Sequence, residues 1–153
     1  MSLRTDITDS IKTAMKAKDK LGLSTLRLVS AAIKDRDIAA RGADKPGGID
    51  EAEILSLLAK MVKQRQESAK IYEDNGRAEL AERERGEIEV IKRYMPVALS
   101  DEELQTAVKQ AVNDFDATCL KDMGKVMGQL KGKYAGRMDM GKAGAAVKAL
   151  LMH

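Results

Sequence analysis

A run of glycines and lysines near the carboxyl end is the part of this sequence best suited to bind a partner. Residues 121–140 read KDMGKVMGQLKGKYAGRMDM, with a glycine at every fourth position from Gly124 to Gly136. Glycine in a helix interior costs roughly 1 kcal/mol relative to alanine, so a helix that repeats it once per turn indicates a functional reason. Bare backbone bordered by cations suits either the close approach of another helix or the sugar-phosphate chain of a nucleic acid.

Residues that commonly perform catalysis are scarce in the chain. The single histidine is His153, the last residue, and the single cysteine is Cys119, so neither a Cys–His nucleophile pair nor a cysteine–histidine zinc cluster is available. No P-loop, dinucleotide-binding glycine motif or Ser-x-x-Lys motif occurs. The carboxylates of residues 77–95 and 100–115 are predicted to lie on solvated faces rather than to form a catalytic pair. We therefore expect no catalytic residue, no metal site and no cofactor.

Charge is distributed unevenly along the chain. Residues 121–153 hold seven basic and two acidic side chains, a balance of +5, whereas residues 1–120 hold 20 basic and 22 acidic side chains, a balance of −2. Together these give the formal net charge of +3. A basic carboxyl-terminal region on a near-neutral body indicates an anionic partner, and a solvated lysine-rich surface is the alternative interpretation.

Targeting signals in the sequence are few. The sequence has no long apolar run of the kind that predicts a transmembrane helix, so we expect no membrane partner. The amino end reads MSLRTDITDSIK and carries charges where a secretory signal peptide needs an apolar block. With one cysteine and hence no internal disulfide, the chain is expected to be a soluble cytoplasmic protein.

The composition and the apolar spacing predict an all-α protein. Charged residues make up 33% of the chain, and no segment alternates apolar and polar residues as a half-buried strand would. Turn signals lie at residues 42–48, at residues 74–76 and at Pro96. Between these turns the spacing predicts helices over about 2–18, about 20–41 and about 77–95, and a further helix that starts at the acidic N-cap pattern of Asp50 and Glu53. Four amphipathic helices with short connections predict an antiparallel bundle as the first domain, residues 1–96.

A small three-helix domain is predicted over residues 97–153. Its first helix starts at the capping-box pattern of Ser100 and Glu103 and presents one apolar face, formed by Leu104, Val108, Ala111, Val112 and Phe115. Gly136 is expected to end the second, glycine-bearing helix in the left-handed conformation. The side chains expected to cap helices across both domains are Ser2, Asp50, Ser100, Asp122 and Asp139.

A helical wheel of residues 123–135, drawn at about 100° per residue, separates the apolar side chains from the glycines. The cluster expected to face the core is Met123, Val126, Met127, Leu130 and Tyr134. The glycines rise along another side beside Lys121 and Lys125, while Lys131 and Lys133 flank the apolar cluster. With three tyrosines and one phenylalanine, the chain has few side chains on which single-stranded bases could stack, which favours a folded RNA as the nucleic acid.

The same residues resemble a known family. The segment MGKVMGQLKGKYAGRMDM, followed by VKALL, is similar to the signature of the YqeY family and to the carboxyl-terminal tail domain of the B subunit of tRNA-dependent amidotransferase. The segments STLRLVSAAIKDRDI, LLAKMVKQRQES and RYMPVALSDEEL extend the resemblance to the YqeY family over the whole chain. The family implies an all-α protein, with a helical bundle followed by a small three-helix domain.

The resemblance also implies a function. In the amidotransferase the tail domain is a tRNA-binding appendage, and the chemistry belongs to parts that have no counterpart in this chain. The resemblance therefore implies no catalytic residue and an RNA-facing surface formed by Gly124, Lys125, Gly128, Lys131, Lys133 and Arg137. It favours a tRNA-binding accessory protein acting in trans, with tRNA or another folded RNA as partner. Two alternatives stay open: a protein–protein interaction module that packs the glycines against a partner helix, and an amidotransferase-like carbon–nitrogen ligase using glutamine, against which the missing nucleophile and nucleotide site count.

Overall fold

The computed structural model describes residues 2–152, and within that range every regular element is helical, which confirms the predicted all-α class. The α-helices in this range are α1 (Leu3–Lys16), α2 (Lys20–Gly42), α3 (Glu51–Asp74), α4 (Ala78–Lys92), α5 (Asp101–Asp114), α6 (Met123–Lys133) and α7 (Met140–Leu151). A short 3-10 helix, Leu120–Asp122, precedes α6. The chain divides into two compact units, one ending at Met95 and the other beginning at Pro96.

Side-chain caps fix the start of several helices, as the sequence predicts. Ser2 accepts a hydrogen bond from the Thr5 amide, and Asp50 accepts one from the Glu53 amide. At the start of α5 the capping box is complete: the Ser100 hydroxyl accepts from the Glu103 amide, and the Glu103 carboxylate accepts from the Ser100 amide, each at 3.1 Å. These bonds satisfy amide groups that a helix leaves without partners in its first turn.

The first unit is a four-helix arrangement around one apolar core. α3 packs on α4, α1 packs on α2, and α2 also packs on α4. Short connections, such as the turn at residues 75–77, make successive helices run in opposite directions. The most deeply buried large side chains of this core are Ile7, Val29, Ile54, Leu58 and Ile91.

One polar contact ties the loop before α3 to the first two helices. The Asp37 carboxylate accepts two hydrogen bonds from the Arg4 guanidinium, both at 2.6 Å, and a third from the Ile49 amide at 2.9 Å. Arg4 also donates to the Ile49 carbonyl at 2.7 Å. The Arg4 hydrogen bonds and the Ile49 amide together lower the pKa of the Asp37 carboxyl to about 2.

A buried carboxylate in the first unit corrects one sequence prediction. The carboxylates of residues 77–95 are predicted to be solvated, but Glu87 is only 8% exposed and accepts a hydrogen bond from Arg65 Nε at 3.0 Å. Glu87 lies four residues before the buried Ile91, and therefore on the same side of α4. That spacing is the sequence signal that identifies it.

The second unit packs α5, α6 and α7 against one another. Each helix contributes a fully buried valine to its core, Val108, Val126 and Val147. Met138, from the turn between α6 and α7, is also buried. The prediction that Phe115 continues the apolar face of α5 is wrong: it is the residue that ends the helix, and it is 42% exposed.

Candidate nucleic-acid interface

The core side of α6 anchors the helix in the second unit. Val126 and Leu130 are buried, while Met123, Met127 and Tyr134 are partly buried against the same core. The ends of the Met123 and Met127 side chains lie beside Gly144 of α7. The apolar cluster predicted from the helical wheel therefore faces the core, and the opposite side of α6 is left for another role.

The opposite side of α6 is bare backbone between two lysines. Gly124, Gly128 and Gly132 are exposed, and in the described structure a Cβ atom built on any of them meets no other group within 4 Å. At about 100° per residue, the order around the helix is Lys131, Gly124, Gly128, Gly132 and Lys125, an arc of about 120°. We call these five residues the glycine face.

The lysines of the glycine face are not neutralised by neighbouring carboxylates. Across residues 2–152, neither Lys125 nor Lys131 takes part in a salt bridge, and both are exposed. The acidic group nearest in sequence to Lys125 is Asp122, whose pKa is lowered mainly by hydrogen bonds from the amides of Thr118 and Cys119 and to a smaller extent by the charge of Lys125. The glycine face therefore presents net positive charge.

Two of the predicted interface residues lie elsewhere. Lys133 is on the side of α6 that faces α5: its ammonium lies 5.5 Å from the centre of the Tyr134 ring, and its charge lowers the pKa of Asp114, although hydrogen bonds from Gln110 and Gln129 do more. Arg137 Nε donates to the Val97 carbonyl at 2.9 Å, so this guanidinium holds the segment before α5 in place. The structure thus brings together Gly124, Lys125, Gly128 and Lys131, adds Gly132, and separates them from Lys133 and Arg137.

The ends of α6 differ in part from the prediction. Asp122 precedes the helix, but its side chain accepts hydrogen bonds from the Thr118 and Cys119 amides, and so it caps the preceding 3-10 helix instead of α6. Gly136 adopts the predicted left-handed backbone, with φ of 74°, two residues beyond the residue that ends the helix. This glycine allows the chain to turn sharply towards α7, whose first amides are capped by Asp139.

The described residues contain few features of a catalytic or metal centre. Cys119 is an exposed free thiol. No group of three or more His, Cys, Asp and Glu side chains is arranged to hold a metal ion in the described part of the chain. None of the helices seen there is long and apolar enough to cross a membrane. His153 lies outside the described residues.

An all-helical protein with a four-helix unit, a three-helix unit and an exposed cationic glycine face is the class that fold and site define. The chain belongs to the Yqey-like protein family, whose sequence model matches residues 4–151. This match confirms the resemblance found in the sequence and extends over both units.

Several curated relatives come from yeasts. Proteins called "Altered inheritance of mitochondria protein 41, mitochondrial" are 37% identical over 108 residues in Lachancea thermotolerans and 37% identical over 119 residues in Clavispora lusitaniae. The alignments cover 69% and 76% of this chain, and 55% and 64% of the two relatives. The Kluyveromyces lactis protein of the same name is 35% identical over 108 residues, covering 69% of this chain and 56% of its own length. The chain thus spans a little over half the length of the relatives.

The names of these relatives correct one sequence prediction. All three are named as mitochondrial proteins, which contradicts the expected cytoplasmic location. The prediction was wrong because it relied on the amino-terminal segment and the cysteine count, and neither of these identifies a compartment.

Proposed function

We propose that this chain is an RNA-binding accessory protein that holds a folded RNA, such as tRNA, on the glycine face. The observation that carries the proposal is the open space over Gly124, Gly128 and Gly132 between two exposed, unpaired lysines. Two interior glycines on one helix cost on the order of 2 kcal/mol of helix stability. Since no group of the described structure fills the space over them, packing within the chain does not account for that cost.

The geometry of the glycine face suits a sugar-phosphate backbone. Lys125 and Lys131 lie six residues apart, or about 9 Å along the helix axis, and on opposite edges of the face. Each lysine is placed to neutralise a phosphate on its own side of a backbone segment that rests on the glycines. Such contacts recognise the shape and charge of an RNA, with little dependence on its base sequence.

The scarcity of exposed aromatic rings supports a folded RNA over a single strand. Proteins that bind single strands stack bases on aromatic side chains. The aromatic residue next to the glycine face is Tyr134, which is partly buried in the core of its own unit. Catalysis is not part of the proposal, because the glycine face consists of three glycines and two lysines and has no carboxylate, histidine, cysteine or hydroxyl side chain.

A protein partner is the second candidate for the same surface. Glycines at positions i, i+4 and i+8 with open space above them also permit the close approach of a helix. The two candidates differ in salt dependence, because RNA binding releases counterions from phosphates and helix packing does not.

The proposal is tested by measuring the affinity of the full chain for unfractionated tRNA as a function of salt. Lys125→Gln with Lys131→Gln should weaken binding, and the slope of log K against log salt should become shallower by roughly 0.7–0.9 for each phosphate that is no longer neutralised. Arg137 is left unchanged, because its hydrogen bond to Val97 is structural.

The matched control removes two exposed lysines from the other helices of the same unit, Lys109→Gln with Lys148→Gln. This control should leave the affinity close to that of the unmodified chain. Equal losses of tRNA affinity in the two double variants would show that only net charge matters, and would contradict binding at the glycine face. An unchanged salt slope in the α6 variant would favour the protein partner.

A further inference from the structure

The solvent-facing side of α2 repeats every seven residues. From residue 20 to residue 41 the helix has a row of cations spaced by seven, Lys20, Arg27, Lys34 and Arg41. Beside this row run the positions that would form the a and d seam of a coiled coil, namely Leu21, Ser24, Leu28, Ala31, Asp35 and Ile38. In the same heptad the four cations occupy the flanking g positions. We call the six a and d residues the α2 seam.

Most of the α2 seam is directed away from the core of its own unit, although Leu21, at its amino end, lies against Gly86 of α4. The buried residues of α2, among them Leu26, Val29 and Ile33, lie on the opposite side of the helix. In the seam, Leu28 is 50% exposed and Ile38 is 58% exposed. Large apolar side chains left in water at heptad spacing are typical of a helix that pairs with another helix.

A groove beside the seam offers room for side chains of a partner. It has a volume of about 420 Å³, and Leu28 of the seam forms part of its wall together with Tyr72 and Leu80. Its other lining residues are charged, Arg65, Arg83, Glu84 and Glu87, and of these Arg65 and Glu87 form a largely buried salt bridge. An apolar side chain from a helix lying along α2 would reach Leu28 and the ring of Tyr72 in this groove.

The flanking cations are free to select the charge of a partner. None of the four takes part in the salt bridges found across residues 2–152, and all four are exposed. Flanking charges in coiled coils choose the partner and its orientation through pairs between helices. The charge of Arg41 also acts on the Asp37 carboxylate of its own helix. The row as a whole takes part in none of these salt bridges and fits a helix that carries carboxylates at its own flanking positions.

We propose that the α2 seam docks an amphipathic helix of a partner protein whose flanking positions are acidic. The cations from Lys20 to Arg41 extend over about 31 Å of helix, enough for three heptads of a partner. RNA would satisfy the cations but would leave Leu28 and Ile38 without an apolar partner. The inference uses a different unit from the glycine face and holds whether or not α6 binds RNA.

The test uses a synthetic peptide of three heptads with Leu at a and d and Glu at e and g, which repels its own copies at neutral pH. The full chain should bind this peptide and raise its helix content, as measured by circular dichroism. Arg27→Glu with Lys34→Glu should weaken binding by about tenfold, because two attractive pairs become repulsive. The same double variant should gain affinity for a peptide with Lys at e and g.

Two further variants distinguish binding at the α2 seam from a general effect of charge and from a loss of folding. Leu28→Gln with Ile38→Gln should abolish peptide binding with little change in the unfolding midpoint, because both side chains are at least half exposed. Lys60→Glu with Lys63→Glu makes the same charge change at exposed positions of α3 and should leave binding unchanged.

Three results would overturn the proposal. One is equal binding of the Glu peptide by the unmodified chain and by the Arg27→Glu, Lys34→Glu variant. The second is that the chain associates with itself and that Leu28→Gln with Ile38→Gln abolishes this association. The partner of the α2 seam would then be a second copy of the chain. The third combines two observations: the Arg27→Glu, Lys34→Glu variant loses affinity for tRNA, and the Leu28→Gln, Ile38→Gln variant binds the peptide as well as the unmodified chain does. Together they would mean that the row of cations on α2 binds a polyanion.

Discussion

Among single residues, Asp37 joins three parts of the first unit. Its carboxylate belongs to α2, while its hydrogen-bond donors are Arg4 of α1 and the amide of Ile49 in the loop before α3. The neighbouring Gly48 has a positive φ of 82°, and a side chain there would collide with the Asp37 carboxylate. The sequence does not predict this interaction, because Arg4 and Asp37 are 33 residues apart and only the packing of α1 on α2 brings them together.

The low pKa of Asp37 makes a prediction about acid stability. Its folded-state pKa of about 2 lies below its ordinary value of 3.8, so the ion pair with Arg4 stabilises the fold fully above about pH 4, and this stabilisation disappears as the pH falls through about 2. Asp37→Asn should therefore lower the free energy of unfolding at neutral pH, and its difference from the unmodified chain should shrink between about pH 4 and pH 2. Urea denaturation at a series of pH values measures this difference.

The control for Asp37 is Asp9→Asn, which removes an exposed carboxylate of α1 that accepts no side-chain hydrogen bond in the described structure. That variant should change the free energy of unfolding only slightly. A difference between Asp37→Asn and the unmodified chain that stays constant over the whole acid range would mean that the Arg4 ion pair contributes little to folding.

At the scale of helices, local sequence predicts where a helix begins better than it predicts which way each side chain of the helix faces. Ser2, Asp50, Ser100 and Asp139 cap helices where the sequence expects them, because a cap involves only the three or four residues that follow it. Asp122 fails as a cap because a short 3-10 helix competes for its carboxylate. The core side of α6 is predictable from its apolar spacing, whereas the position of Lys133 near Asp114 depends on how α5 packs beside it.

The capping box of α5 gives a prediction at this scale. Ser100→Ala removes the hydroxyl that accepts from the Glu103 amide and should lower the free energy of unfolding by about 1 kcal/mol. Ser100→Asp should retain most of the stability, because aspartate caps helices equally well. Chemical denaturation of the three proteins gives the comparison, and an unchanged midpoint in Ser100→Ala would show that the cap is dispensable.

At the scale of the whole molecule, the family can be identified from the sequence, whereas the proposed RNA-facing surface is defined only with the structure. The motif around α6 identifies the family, which the match over residues 4–151 confirms. Six residues are predicted for the RNA-facing surface, and the structure groups four of them with Gly132 on one open side of α6. Arg137 could not be separated from this group by sequence, because its hydrogen bond to Val97 spans 40 residues.

The most direct test of the proposed function is the affinity of the full chain for tRNA when Gly128 acquires a side chain. Gly128→Ala should raise the free energy of unfolding by up to about 1 kcal/mol, because alanine favours helix and the space over Gly128 is open. Gly128→Gln should weaken tRNA binding more than Gly128→Ala, while Gly42→Gln, at another helical glycine with open space, should leave it unchanged. Full tRNA affinity in a folded Gly128→Gln protein would contradict RNA binding at the glycine face.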